Sequence, residues 1–409
     1  MTTPAQGLGL GPGRLLALVT GVMLVQQGLV YLATLAVPVA APRIAESLAL
    51  DPALLGGYMA MLNGIAILSA SYGSGFIPRL GALRVSQISL VLAGGGLALA
   101  ATGEVWLIAL CALLIGSGTA PSTPASSHLL ARYSPPRLAP LIFSVKQTGV
   151  PLGGVAAGIL IPFLVLEIGW QGALLVVGGL AAGFALSVQP LRAAFDEDRQ
   201  PGRRVALGSI LATMGLVLRS PDLRALSAAA AMFVGVQTVY AGFFVLYVVR
   251  DVGLSLTAAG AVFAVSQAAA VGARILAGWA ADRFLSTRAL LGAMGVVMGG
   301  AAFASARFDA GWSATAVAGV AIVYACTAFG WNGVLWAEVA RRAPAGEVGT
   351  VTGVPIAIAF VAAMAFPAIF GLLLTATDSY AVGFAAAGTP ALLVGLFFLR
   401  AARRGPGGA

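Results

Sequence analysis

Long apolar stretches alternate with short polar connections along almost the whole chain. Twelve stretches of spanning length stand out, at about 14–40, 54–78, 85–103, 105–131, 139–165, 171–191, 223–249, 257–281, 289–307, 313–338, 349–373 and 382–400. Each approaches or exceeds the roughly 20 residues that a helix needs to cross a hydrocarbon layer about 30 Å thick. The connections are short except for 192–222, which holds DEDRQPGRR and then RSPDLR. The pattern predicts an all-α membrane protein with twelve transmembrane helices in two pseudo-symmetric six-helix bundles. The bundles would cover 1–191 and 223–409, with 192–222 as a cytoplasmic linker.

Composition agrees and narrows the class. Of 409 residues, 59% are hydrophobic and 9% charged, with a mean hydropathy of +0.97. A soluble domain carries about 25% charged residues. The net charge of +9 would suggest nucleic acid in a soluble chain, but its distribution has another cause. With the N-terminus inside, eighteen arginines fall in inside segments and three outside, Arg43, Arg250 and Arg307. That bias predicts a multi-pass protein of a bacterial inner membrane with both termini cytoplasmic. The first run exceeds a signal-peptide core and reads as a retained span. Cys111 and Cys326 fall inside apolar runs and read as small packing residues. No phosphate loop, paired His/Cys ligand set or Ser-His-Asp arrangement is present in the sequence, so neither an enzyme nor an ATP-driven pump is expected, and no cofactor or metal.

The two halves repeat. Thr148-Gly149-Val150-Pro151 recurs as Thr352-Gly353-Val354-Pro355, and Ala131-Arg132 recurs as Ala340-Arg341. Setting Arg79 against Arg283 aligns Asn63 with Gln267. Internal duplication of this kind predicts a substrate site near the midplane, formed by both repeats.

Two cations lie deep in the apolar runs. Arg274 sits two helical turns before Asp282, roughly 12 Å further in. Lys146, the only lysine, is nine residues past Arg137 and reaches a similar depth. An arginine near the bilayer centre costs at least about 2.5–3.5 kcal/mol unless it is paired or lines a wet cavity. All fourteen acids map to loops or helix ends, so a pair of deep cations suits an anion. Two plainer roles stay open: Lys146 snorkelling to the interface, and Arg274 hydrogen-bonding helix ends. Polar groups at helical spacing join them as candidate contacts: Gln27 with Tyr31, Gln237 with Tyr240, and Asn63, Gln147, Gln267, Tyr324 and Asn332. Trp331 and Trp336 are candidate walls, and Pro151 with Gly153-Gly154 are candidate bending points. His128, the only histidine, is a candidate proton site or an interfacial residue.

The turn Gly278, Asp282, Arg283, Arg288 resembles the signature turn of the major facilitator superfamily. Its copy earlier in the chain is degraded: Pro78 stands where the Asp belongs, followed by Arg79, Gly81 and Arg84. The resemblance covers essentially the whole chain. It implies a major facilitator fold whose turns act as charge-locked latches, with a weaker latch in the first half. Arg-x-x-x-Gly-x-x-x-Asp ending at Asp282, and FGWNGVLWAE at 329–338, are similar to monocarboxylate transporters and the oxalate:formate exchanger. KQTGVPLGG is similar to cyanate-permease-like carriers. In the first two groups the matching arginine binds the substrate carboxylate, which implies that role for Arg274. The chain departs from them at Ala270, where the monocarboxylate carriers place an acid, and in helix 1, where Gln26, Gln27 and Tyr31 replace a lysine. The oxalate exchanger has its second cation on helix 11; here the only lysine is on helix 5. The expectation is a monomeric carrier in the lipid bilayer for a small organic anion, a mono- or dicarboxylate, working by exchange or proton-linked symport. The alternative is an efflux carrier for drugs or lipophilic metabolites.

Overall fold

Lipid offers no partner to a free backbone amide, so each apolar run closes its hydrogen bonds within itself. The computed structural model describes residues 10–135, 137–202, 219–342 and 348–403, without the side chains of 71–75, 139–140, 282 and 348–352. Its helices are α1 (Pro12–Leu48), α2 (Leu54–Leu80), α3 (Ala82–Ala100), α4 (Val105–Tyr133), α5 (Ala139–Gln147), α6 (Gly149–Ser187) and α7 (Arg192–Phe195). The second series is α8 (Pro221–Arg250), α9 (Leu256–Arg283), α10 (Thr287–Ser305), α11 (Ala314–Gly330), α12 (Asn332–Arg342), α13 (Val348–Thr377) and α14 (Tyr380–Arg403).

Among the described residues, ten segments are long and apolar enough to cross a membrane. One of them, Leu141–Phe195, has 55 residues and breaks at Gly169, so it supplies two spans. The apolar part of α2, Leu54–Ala70, is shorter and makes the twelfth. The connection expected near 166–170 is a single-residue break: Gly169, at φ 76° and ψ 167°, turns the chain with no loop. Only a residue without a Cβ takes that φ readily.

Two further breaks position side chains. α5 ends at Gln147 and α6 begins at Gly149. Pro151 has no amide to return to the carbonyl of residue 147, so the ladder is interrupted one turn before the proline. The tenth span breaks between Gly330 and Asn332, separating α11 from α12.

The chain divides into two compact units, 1–37 with 64–208, and 38–63 with 209–409. Residues 38–63, the end of α1 and the start of α2, thus belong with the second unit. Part of the expected linker, 203–218, lies outside the described residues. Within the first unit α3 packs against α4 and α6; within the second α10 packs against α14 and α11. Small residues set both contacts. A methyl at Gly94 would lie 2.7 Å from the Gly178 carbonyl oxygen, and one at Gly295 would lie 2.8 Å from the Gly395 Cα. Such close backbone approach is how helices associate where lipid tails remove the hydrophobic drive.

Candidate functional site

In the first unit, α1 crosses the α5–α6 break at close range. A methyl at Gly149 would lie 2.8 Å from the Leu24 carbonyl oxygen and 3.0 Å from Gln27 Cβ. One at Gly153 would lie 2.5 Å from the Gly28 carbonyl oxygen and 3.0 Å from Tyr31 Cβ. The crossing places Gln27 beside Gly149, three residues past Lys146, and Tyr31 beside Gly153 one turn further on. Lys146 is 1% exposed, and Nζ donates to Gln147 Oε1 at 3.4 Å. Among the described residues no carboxylate lies within ion-pair distance of it. Its burial does not fit a lysine snorkelling to water. Gln26 and Gln27 are also buried; neither polar atom of the Gln26 amide nor Oε1 of Gln27 has a hydrogen-bond partner among the described residues. A buried polar group without a partner costs about 1–3 kcal/mol until it gains one.

In the second unit, the α11–α12 break frees the Phe329 carbonyl. Arg274 donates to it from Nε at 3.3 Å and from Nη2 at 3.2 Å. Asn332 Nδ2 donates to the same oxygen at 3.4 Å and to Gln237 Oε1 at 3.5 Å. Arg274, Asn332 and Gln237 therefore meet around one helix end, and the guanidinium is held by backbone. Gln267 is fully buried with neither end of its amide partnered among the described residues.

Other candidates have different surroundings. The Tyr240 hydroxyl lies 2.6 Å from Ser266 Oγ, and its ring sits among Phe244, Phe263, Tyr324 and Phe329. Asn63 donates to the Met59 carbonyl of its own helix at 2.8 Å. Trp331 is fully buried, edge-on to Phe233 and near Trp336. Cys111 and Cys326 are free thiols.

The turns carry charge clusters. In the second unit Gly278 has open space around it and Arg283 is exposed; the side chain of Asp282 lies outside the described residues. Arg288 donates to Asp222 at 2.6 Å, Arg342 joins Asp222 to buried Glu338, and Arg341 also pairs with Glu338. In the first unit Arg79 is exposed and Arg84 half-buried, its Nη1 donating to Gln87 Oε1 at 3.4 Å. Asp196 is buried against this turn, and Glu197 and Asp198 pair with Arg132. His128 Nε2 lies 2.8 Å from Asp198, so the histidine belongs to this cluster. Burial raises the Asp196 carboxyl above its ordinary 3.8; the amides of Leu83 and Arg84 and the Arg192 guanidinium pull it back. Sequence reasoning took 196–198 for linker and missed its role. The only signal was three consecutive acids in a chain poor in acids.

The arrangement has clear relatives. Residues 23–367 match the model of the Major Facilitator Superfamily. The rat (Rattus norvegicus) protein Monocarboxylate transporter 13 is 25% identical over 335 residues, 80% of this chain and 75% of the relative. A bacterial homolog of the human lysosomal transporter Spinster, inward-facing and occupied, superposes with a TM-score of 0.73 at 16% identity, covering 97% of this chain and 98% of that one. A POT family transporter in complex with 5-aminolevulinic acid gives a TM-score of 0.75 at 12% identity, covering 94% and 96%. On its fold and on a family match spanning most of its length, this chain belongs to the Major Facilitator Superfamily, a family of membrane transporters and not of enzymes.

Proposed function

We propose that this secondary transporter carries a small organic anion, a mono- or dicarboxylate, across a bacterial inner membrane with both termini in the cytoplasm. The observation that carries the reading is Lys146: 1% exposed, on a membrane-spanning helix, with no acid in ion-pair range among the described residues. A desolvated cation without a counter-charge favours a site that takes its carboxylate from the substrate. Arg274 is the second cation. Its Nε–Nη2 edge is held by the Phe329 carbonyl, which orients the guanidinium. Gln26, Gln27 and Gln267 supply amides that gain partners when a polar substrate enters. The similarity to a protein named for monocarboxylate transport points the same way. Of the described acids, Glu338 is buried but tied to Arg341 and Arg342, and none sits deep in a span as a proton carrier. Exchange of anions, or symport with the proton carried by the substrate, fits that layout.

The test is uptake of radiolabelled lactate, formate and oxalate into proteoliposomes. Lys146→Gln and Arg274→Gln should each lower uptake of the transported anion at least about tenfold, the scale expected for losing a charge-assisted contact. Undiminished uptake of every transported anion by the double variant would remove the two-cation reading and leave the drug-efflux alternative ahead.

A further inference from the structure

The first signature turn lacks its acid in sequence, because Pro78 occupies the position that Asp282 holds in the second. In space a carboxylate is present. Asp196, the residue after α7, is 2% exposed; Oδ1 accepts from the Leu83 amide at 2.8 Å and Oδ2 from the Arg84 amide at 3.0 Å. These amides open α3 and have no acceptor inside the helix. The residue in the cap position of α3 is Gly81, which has no side chain to offer them. Gly81 is at φ 97°, and a Cβ there would lie 2.1 Å from Asp196 Cγ. Glycine at 81 is therefore required twice, by its backbone angle and by the carboxylate packed on it. The Gln200 amide donates to the Pro78 carbonyl at 2.6 Å, which lays the segment after α7 along the turn.

The neighbours of Asp196 extend the clasp. Arg192 Nε stands 3.7 Å from it, Asp198 binds both Arg132 and His128, and Glu197 binds Arg132. The start of α3 and the end of α4 are thus tied by one short acidic run. The second unit repeats the device with an acid in the first turn of α8: Asp222 ties Arg288 at the start of α10 to Arg342 at the end of α12.

We propose that Asp196 is the missing acid of the first signature turn, relocated to the segment after the sixth span, and that it acts as a positioning residue in the transport cycle. The latch of the first half is complete, and its acid comes from 113 residues away from the amide it holds. Asp196 touches no substrate; it fastens the turn in one of the conformations between which the transporter alternates.

The test uses full-length protein in proteoliposomes without substrate, so its outcome is independent of which anion is carried. Spin labels are placed on the exposed positions Leu138→Cys and Leu285→Cys in a Cys326→Ser background, and the distance distribution gives the ratio of the two conformations. Asp196→Asn removes the charge and keeps one of the two amide bonds, since its side chain has a single acceptor oxygen. It should shift the ratio by at least about tenfold, the scale of a hydrogen bond to a charged group. Gly81→Ala, which displaces the carboxylate, should shift it the same way. Pro78→Asp added to Asp196→Asn, returning the acid to its sequence position, should restore the wild-type ratio. An unchanged ratio in both single variants, or a shift that Pro78→Asp does not reverse, would overturn the proposal. A merely structural cap at Asp196 does not predict the rescue by Pro78→Asp.

Discussion

A lysine enclosed by a membrane protein with no acid beside it among the described residues is a stability liability kept for another reason. Replacing Lys146 with Met, close in length and uncharged, removes the desolvation cost. We expect Lys146→Met to raise unfolding stability by on the order of 1–4 kcal/mol while abolishing anion uptake. Thermal unfolding and uptake on one preparation check both, and a destabilised Met variant would count against an uncompensated charge. Asp196 gives a second expectation. Its raised value means that the folded chain holds this proton more tightly than the unfolded chain does. Its contribution to stability is therefore fully present below the ordinary carboxylate value and is lost as pH rises through the raised one. Asp196→Asn does not titrate and lacks that slope, so wild type should gain on it as pH falls from neutral toward the ordinary carboxylate value. Asp251, also raised by burial, is common to both chains and cancels. Thermal midpoints across that range decide it. At this scale Lys146 and Arg274 were legible because a charge inside an apolar run announces itself. The partners of Asp196 and Arg274 were not, because one lies on a different helix of the unit and the other is a backbone carbonyl freed by a helix break.

Helix breaks explain much of what the hydrophobic pattern concealed. An apolar run reads the same whether its helix is straight or interrupted, so the break at Gly330–Asn332, inside the run 313–338, left no mark in the periodicity, whereas the one at Gly169 falls in an expected connection. The repeated Thr-Gly-Val-Pro is instructive: the helix breaks before Pro151, whereas α13 runs through Pro355 without interruption. Identical tetrapeptides therefore differ in outcome, and what distinguishes the first copy is its neighbour, α1, lying against Gly149 and Gly153. That crossing sets where Gln27 and Tyr31 stand relative to the turn of Lys146. A side chain at 153 meets the Gly28 carbonyl and forces α1 away. Gly153→Leu should cost about 1–3 kcal/mol of stability, the range for overpacking, and should weaken anion binding more than Tyr31→Phe, which keeps the crossing. Thermal-shift titration with the transported anion separates the two effects. Equal affinity in Gly153→Leu and wild type would show that the crossing does not position the site.

The duplicated sequence suggests two halves that meet in the linker, yet the compact units divide the chain differently. Residues 38–63 belong with 209–409, while the remainder of α1 and α2 belongs with the first unit. The second unit therefore holds pieces of both repeats, and its internal contacts show what fastens them. A methyl at Gly56 would lie 2.5 Å from the Pro367 carbonyl oxygen, and one at Gly371 would lie 2.7 Å from the Ala53 carbonyl oxygen. Met59 packs on Gly242 in the same unit. Backbone touches backbone at Gly56 and Gly371 with no room for a side chain, so this contact is either fully made or fully absent. We expect this contact within the second unit to open during the transport cycle. Gly371→Leu should hold α2 and α13 apart. Ala53, 7% exposed in the present conformation, reports the change when replaced by cysteine in a Cys326→Ser background. Its labelling by a membrane-impermeant maleimide should rise about tenfold in the Gly371→Leu chain, as for a population moved by one order of magnitude. Labelling that stays at the wild-type rate would mean that α2 and α13 remain together with a leucine between them, and the opening would have to lie elsewhere along these helices.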